Sequence, residues 1–200
     1  MSIESIEPET IVGVILAGGV GRRIGGAKAL MQLAGAPLAH HAARALRPSV
    51  RALAVAGDAA AARALNAPAL ADPPGASRGP LAGVLAGLAW AAGEGASWLA
   101  VAPCDAPLLP DDLVPRLRAA AADAMAACAE TDAGLEPLIS LWRVDLLPRL
   151  QAALGAGAHP PVHRFMHDVG AARVRLGADE AMNVNTADDL ARAEALLARR

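Results

Sequence analysis

A chain of 200 residues with 54% hydrophobic and 19% charged side chains can bury a real core, which excludes a disordered segment. A formal net charge of −2 without a basic tract excludes bulk electrostatic capture of nucleic acid. Two cysteines exclude a disulfide framework or a cysteine-rich metal centre, and no apolar segment is long enough to read as a membrane span.

Residues 1–10 read as an acidic tail without the basic and apolar regions of a secretion signal. The expected location is the cytoplasm, with both cysteines reduced. Residues 11–200 are expected to form a single domain, as the length favours.

Residues 11–16 (IVGVIL) form an unbroken apolar run that ends in glycines, the pattern of a buried parallel strand. Residues 37–46 are amphipathic at helical spacing. A strand follows at 52–56, a short helix at 59–65, a third strand at 69–72 and a Pro/Gly-rich loop at 73–80. A helix is predicted over 81–92, with Gly79, Gly83 and Gly87 allowing close helix–sheet contact. Residues 97–102 (SWLAVA) read as a strand and 111–122 as a helix, with Asp111 and Asp112 at its start. Strands at 125–129 and 138–142, helices at 146–154 and 162–169, and a strand at 172–176 complete the alternation. The last helix is announced by Thr186 and Asp189, which have the spacing of a capping box. Alternation of this kind predicts a three-layer α/β/α sandwich on a mostly parallel, Rossmann-like sheet. Ligands of such sheets bind beyond the carboxyl ends of the strands. The chemically rich segments of this chain all follow predicted strands.

The first of them, residues 16–30, reads LAGGVGRRIGGAKAL. Adjacent glycines let backbone N–H groups approach a phosphate, and Arg22, Arg23 and Lys28 can neutralise a triphosphate and a leaving pyrophosphate. The spacing is neither a Walker A loop nor a G-x-G-x-x-G turn. The second, residues 101–113, reads VAPCDAPLLPDDL. A carboxylate at a strand end, here Asp105, can hold Mg²⁺ against phosphate oxygens. Cys104 has no paired histidine and reads as a small buried residue. His159, His163 and His167 have helical spacing, but no carboxylate completes a zinc site.

These motifs, in this order, resemble the molybdenum cofactor guanylyltransferase family of nucleotidyltransferases. The run LAGGVGRRIGGAK resembles its first signature, P-C-D-x-P its metal motif, D-x(n)-G-P-L-A-G its middle loop and N-V-N-T-x-x-D-L its C-terminal segment. The resemblance covers roughly residues 12–198 and implies the nucleotide-diphospho-sugar transferase fold. It implies transfer of GMP from GTP to the phosphate of molybdenum-molybdopterin. A molybdoenzyme or its chaperone would receive the product, and neither nucleic acid nor membrane is a partner. By the same resemblance Leu16, Ala17, Gly18 and Gly19 lie along the nucleotide, and Arg22 faces its phosphates. Lys28 contacts the nucleotide, Asp72 accepts from the guanine or its ribose, and Asp105 binds Mg²⁺ and GTP. Asn183 and Asn185 line the metal or pterin side, although Asn and Thr before a helix are also ordinary capping residues. His163 and Arg164 are candidates for the pterin phosphate.

The sequence departs from the family pattern at Ala27, where an aspartate is usual, near Ala56, where an asparagine is usual, and at Glu136, where a histidine is usual. These departures keep two rivals open: a cytidylyl- or sugar-phosphate nucleotidyltransferase of the same fold, and a non-catalytic nucleotide or cofactor carrier.

Overall fold

The computed structural model describes residues 9–18, 20–21, 26–73, 79–155 and 160–199. Its centre is a sheet of seven strands: β1 (Ile11–Leu16), β2 (Leu53–Ala56), β3 (Ala69–Leu70), β4 (Trp98–Pro103), β5 (Ala126–Thr131), β6 (Gly134–Arg143) and β7 (Ala172–Arg175). Their order is β7-β5-β6-β4-β1-β2-β3. Every strand is parallel to the rest except β6, which runs antiparallel to both β4 and β5.

Side-chain alternation along the strands separates two cores, as a period of two requires. Ile15 of β1 and Trp98, Ala100 and Ala102 of β4 face one way. They pack under α1 (Leu38–Leu46), α2 (Ala59–Ala64) and α4 (Leu113–Ala120). Val12, Val14, Leu99 and Val101 face the other way. They pack under α3 (Pro80–Gly93), α5 (Leu147–Gly155) and α6 (Val162–Asp168). The three predicted layers are therefore present. The final helix, α7 (Ala187–Leu197), joins Leu33, Leu38, Leu108 and Val184 in a third, smaller cluster.

Alanine and glycine let the layers approach closely. A Cβ on Gly87 would come within 2.9 Å of the Leu99 side chain, and one on Gly83 within 2.9 Å of Leu16. The expected helix–sheet contact holds for these two but not for Gly79, whose added Cβ would meet open space. The scarce aromatics do the filling. Trp142 is fully buried, stacks on Phe165 at 5.7 Å and donates from Nε1 to Ser140 Oγ at 2.8 Å.

Element boundaries differ from the sequence expectation where an end is polar or at an edge. β3 is only two residues long because it pairs on one side alone. The predicted helix at 111–122 begins at Leu113, and Asp111 instead pairs with Arg44. β6 begins at Gly134, four residues before the apolar pattern does. Residues 144–146 form a 3-10 turn ahead of α5. No described helix is long and apolar enough to cross a membrane.

Candidate functional site

The parallel strands end at one level. Leu16 is in register with both Ala56 and Pro103, and Ala56 with Leu70. The exits of β3, β2, β1 and β4 thus form a continuous rim at the carboxyl edge of the sheet, where this architecture binds ligands. Because β6 is antiparallel, its beginning reaches the same rim. Ser140 opposes Val101, and the residues ahead of it, Glu136 among them, lead out to the rim past an irregularity in the pairing with β5.

Asp105 stands two residues beyond β4, held by backbone bonds on both sides. Cys104 N donates to Leu16 O at 3.0 Å, and Val184 N donates to Asp105 O at 2.8 Å. Lys28 opens a 3-10 turn, Lys28–Leu30, on the far side of the glycine-rich loop. Its Nζ donates to Asp105 Oδ2 at 2.5 Å and to Asn185 Oδ1 at 2.6 Å. Lys28 is only 9% exposed. A buried ammonium needs such partners, since desolvation without them is costly.

The capping box of α7 sets the position of Asn185. Asp189 Oδ2 accepts from Asn185 N at 2.9 Å and from Thr186 N at 2.8 Å, and Thr186 Oγ1 accepts from Asp189 N at 3.1 Å. The bond from Asn185 N, and next the Thr186 hydroxyl, hold the Asp189 carboxyl below its ordinary range. Capping and site-building are thus one device here: the cap fixes the backbone, and the Asn185 amide faces Lys28.

Glu136, half-buried, lies beside Asn183 and within the field of Asp105. Burial pushes its carboxyl up, the Asn183 side chain opposes that by hydrogen bonding, and the Asp105 charge adds to the rise. Buried Cys104 has its thiol pushed up to about 12, by burial first and the Asp105 charge second. It stays protonated at neutral pH and offers no thiolate nucleophile.

The other end of the rim is built from backbone. Ala17 N donates to Ala56 O at 2.8 Å. Gly18 is exposed, and a Cβ placed on it would meet nothing within 4 Å. Gly57 has φ +103°, and its Cβ would lie 2.6 Å from Gly18 Cα, so glycine is required there on both counts. Asp58 then caps α2, its Oδ1 accepting from Ala60 N at 2.7 Å and Ala61 N at 3.2 Å. Asp72 is exposed just past β3. Three strand spacings separate that position from the exit of β4, about 14 Å, a distance an extended nucleotide bridges.

Of the sequence candidates, Lys28, Asp105 and Asn185 meet directly. Asn183 joins them through Glu136. Leu16, Ala17 and Gly18 form the floor between them and Asp72. Gly19 and Arg22 lie outside the described residues, as does His159. His163 and His167 are exposed on α6, and no group of three or more His, Cys, Asp or Glu among the described residues could hold a metal ion by itself. Gly57 was not singled out by the sequence patterns, although a glycine between a strand and a capping aspartate is a readable signal.

The chain matches the MobA-like NTP transferase domain over residues 13–171. It is 45% identical over 193 residues to a molybdenum cofactor guanylyltransferase of Cereibacter sphaeroides, covering 94% of this chain and 97% of that one. A molybdenum cofactor guanylyltransferase of Rhodobacter capsulatus is 44% identical over 186 residues, with 92% and 95% covered. Among solved structures, the molybdopterin-guanine dinucleotide biosynthesis protein A of Archaeoglobus fulgidus superposes with a TM-score of 0.72 at 23% identity, covering 94% of this chain and all of that one. A CMP:2-keto-3-deoxy-manno-octonic acid synthetase complexed with CTP gives 0.73 at 16% identity, covering 96% and 99%. At these identities the two structures share the fold.

Proposed function

Since the chain belongs to the MobA-like NTP transferase family, we propose that it transfers GMP from GTP to the terminal phosphate of molybdenum-molybdopterin. The single observation that carries this reading is the Lys28–Asp105–Asn185 cluster at the rim of the sheet, which supplies a fixed cation, a carboxylate and an amide where phosphates would lie. An oxygen of the acceptor phosphate attacks the α-phosphorus of GTP. The bond from that phosphorus to the oxygen bridging to the β-phosphate breaks, and pyrophosphate leaves with the electron pair. No protein nucleophile is required, in keeping with the protonated Cys104 thiol. Catalysis is positioning and charge neutralisation.

The oxygens of Asp105 and Asn185, with Glu136 nearby, are the hard donors that Mg²⁺ takes, and Mg²⁺ needs only one or two protein carboxylates beside phosphate and water. Asp105 would hold it, and the bound ion would supply Lewis-acid neutralisation of the phosphates. Lys28 binds polyphosphate oxygens. Gly18 and its neighbours offer backbone to the nucleotide, and Asp72 accepts from the guanine N1–H and 2-amino group. Asn183 and Glu136 border the acceptor side.

The test is pyrophosphate release with molybdenum-loaded acceptor and Mg²⁺, comparing GTP with CTP. Release with GTP alone, falling at least about 100-fold in Asp105→Asn, is the expected result. Asp72→Ala should narrow the preference for GTP over CTP about tenfold. Preference for CTP would move the protein to the cytidylyl branch, and GTP binding without release would make it a carrier.

A further inference from the structure

The pairing of Lys28 with Asp105 has a consequence for which form of the nucleotide the site accepts. The Lys28 ammonium lies 2.5 Å from Asp105 Oδ2 and 2.6 Å from Asn185 Oδ1, so it sits between the two oxygens best placed to coordinate a divalent cation. The ion pair is shielded, with the Lys28 side chain 10% and the Asp105 side chain 21% exposed, while Asn185 stands at the exposed side of the ammonium. Charge attraction is strong in such surroundings. Position 27 is alanine, so the residue next to Lys28 supplies no carboxylate to draw the ammonium elsewhere.

From this geometry we infer that Lys28 is a tethered counter-ion that competes with free divalent cation for Asp105, so that the site takes up the metal–nucleoside triphosphate complex rather than the metal first. The inference rests on the nucleotidyltransferase reading above. Lys28 has two anionic clients, Asp105 and an incoming polyphosphate. A polyphosphate carries several negative charges and draws the ammonium across, which exposes Asp105 Oδ2 to the cation arriving on the same phosphates. The flexible four-carbon stem of lysine permits that transfer, whereas a rigid guanidinium fork would not. Asn185 acts as the positioning residue: its amide oxygen, fixed by the α7 cap, keeps the ammonium in line with Asp105.

The experiment is Mn²⁺ binding to the nucleotide-free protein, read by the loss of the free-ion electron paramagnetic resonance signal. Wild type is compared with Lys28→Met, Lys28→Gln and Asp105→Asn, each checked for folding by circular dichroism. The expected result is tighter Mn²⁺ binding in both Lys28 variants, by about tenfold, and loss of that binding when Asp105→Asn is added. GTP should tighten Mn²⁺ binding to wild type by a similar factor beyond what the same GTP chelates without protein. Equal Mn²⁺ affinity in wild type and both Lys28 variants would overturn the inference, as would tight binding that survives Asp105→Asn or no binding to any variant. Those outcomes in an enzyme that releases pyrophosphate sink this inference alone. A wild-type protein that releases none with any nucleotide sinks the reading beneath it.

Discussion

The two ends of the rim are made from different materials. Around Asp105 the structure uses side chains: an ammonium bonded to both a carboxylate and an amide, and braced by the α7 cap. Around Gly18 and Gly57 it uses bare backbone, with space where side chains would stand and one contact tight enough to exclude a methyl group. On the proposed function, the difference follows from what each end would meet. Phosphates demand fixed charge, which loses little to reorganisation when it is already in place. A planar base and a sugar demand access, and side chains would obstruct them. The charged end resists loss of a partner, and the open end resists gain of an atom.

Adding that atom gives the largest expected effect. Gly57→Ala forces an alanine into φ +103° and against Gly18. It should cost about 2 kcal/mol or more in a denaturant melt and raise KM for GTP, since the strand exits on both sides must shift. A variant that folds and binds GTP like wild type would show that the tight contact is incidental to the nucleotide end.

A smaller effect is expected from loosening the charged end without touching its charges. Thr186→Ala removes the hydroxyl that caps α7 and should cost about 1 kcal/mol. The sharper readout is kinetic: kcat should fall while KM for GTP changes little, because Asn185 loses its brace and the glycine floor is untouched. Equal falls in both parameters would blur the division between the two ends.

Glu136→Gln should have the smallest effect and the opposite sign. Burial and the Asp105 charge raise the Glu136 carboxyl above its ordinary 4.5, so the folded protein holds that proton more tightly than the unfolded chain does. The stability this contributes is present at low pH and is lost as pH rises through the raised value. Glu136→Gln should therefore be more stable than wild type at neutral pH, by about 0.5 kcal/mol or less because water screens a half-buried group. The two proteins should converge below pH 4.5. Thermal melts across that range check it, and a variant less stable at neutral pH would mean that the Asn183 contact outweighs the repulsion.

Much of the fold was legible because each signal was local. Continuous apolar runs marked β1 and β4, and the Thr186 and Asp189 pair marked the start of α7. Pairing order was not legible: nothing in residues 134–143 announces that β6 inserts between β4 and β5. The candidate site divided along the same line. Lys28 and Asp105 were visible as motif residues, but their contact, and the share Asn185 takes in it, depend on side chains 77 and 157 positions apart. Glu136 was visible only as a departure, and its nearness to Asp105 comes from the antiparallel β6, whose beginning returns to the rim.

That longest contact also bears on how the protein matures. Residues near the first strand find their partner in a segment reached only after every strand of the sheet has been laid down. Joining such distant points carries a loop-closure cost that local contacts do not. During synthesis the glycine floor between β1 and β2 can assemble early, whereas the charged cluster waits for residues 183–186 to leave the ribosome. On the proposed function, a nascent chain thus acquires its nucleotide surface well before it has the groups to act on one, and catalytic competence becomes a late event in its folding.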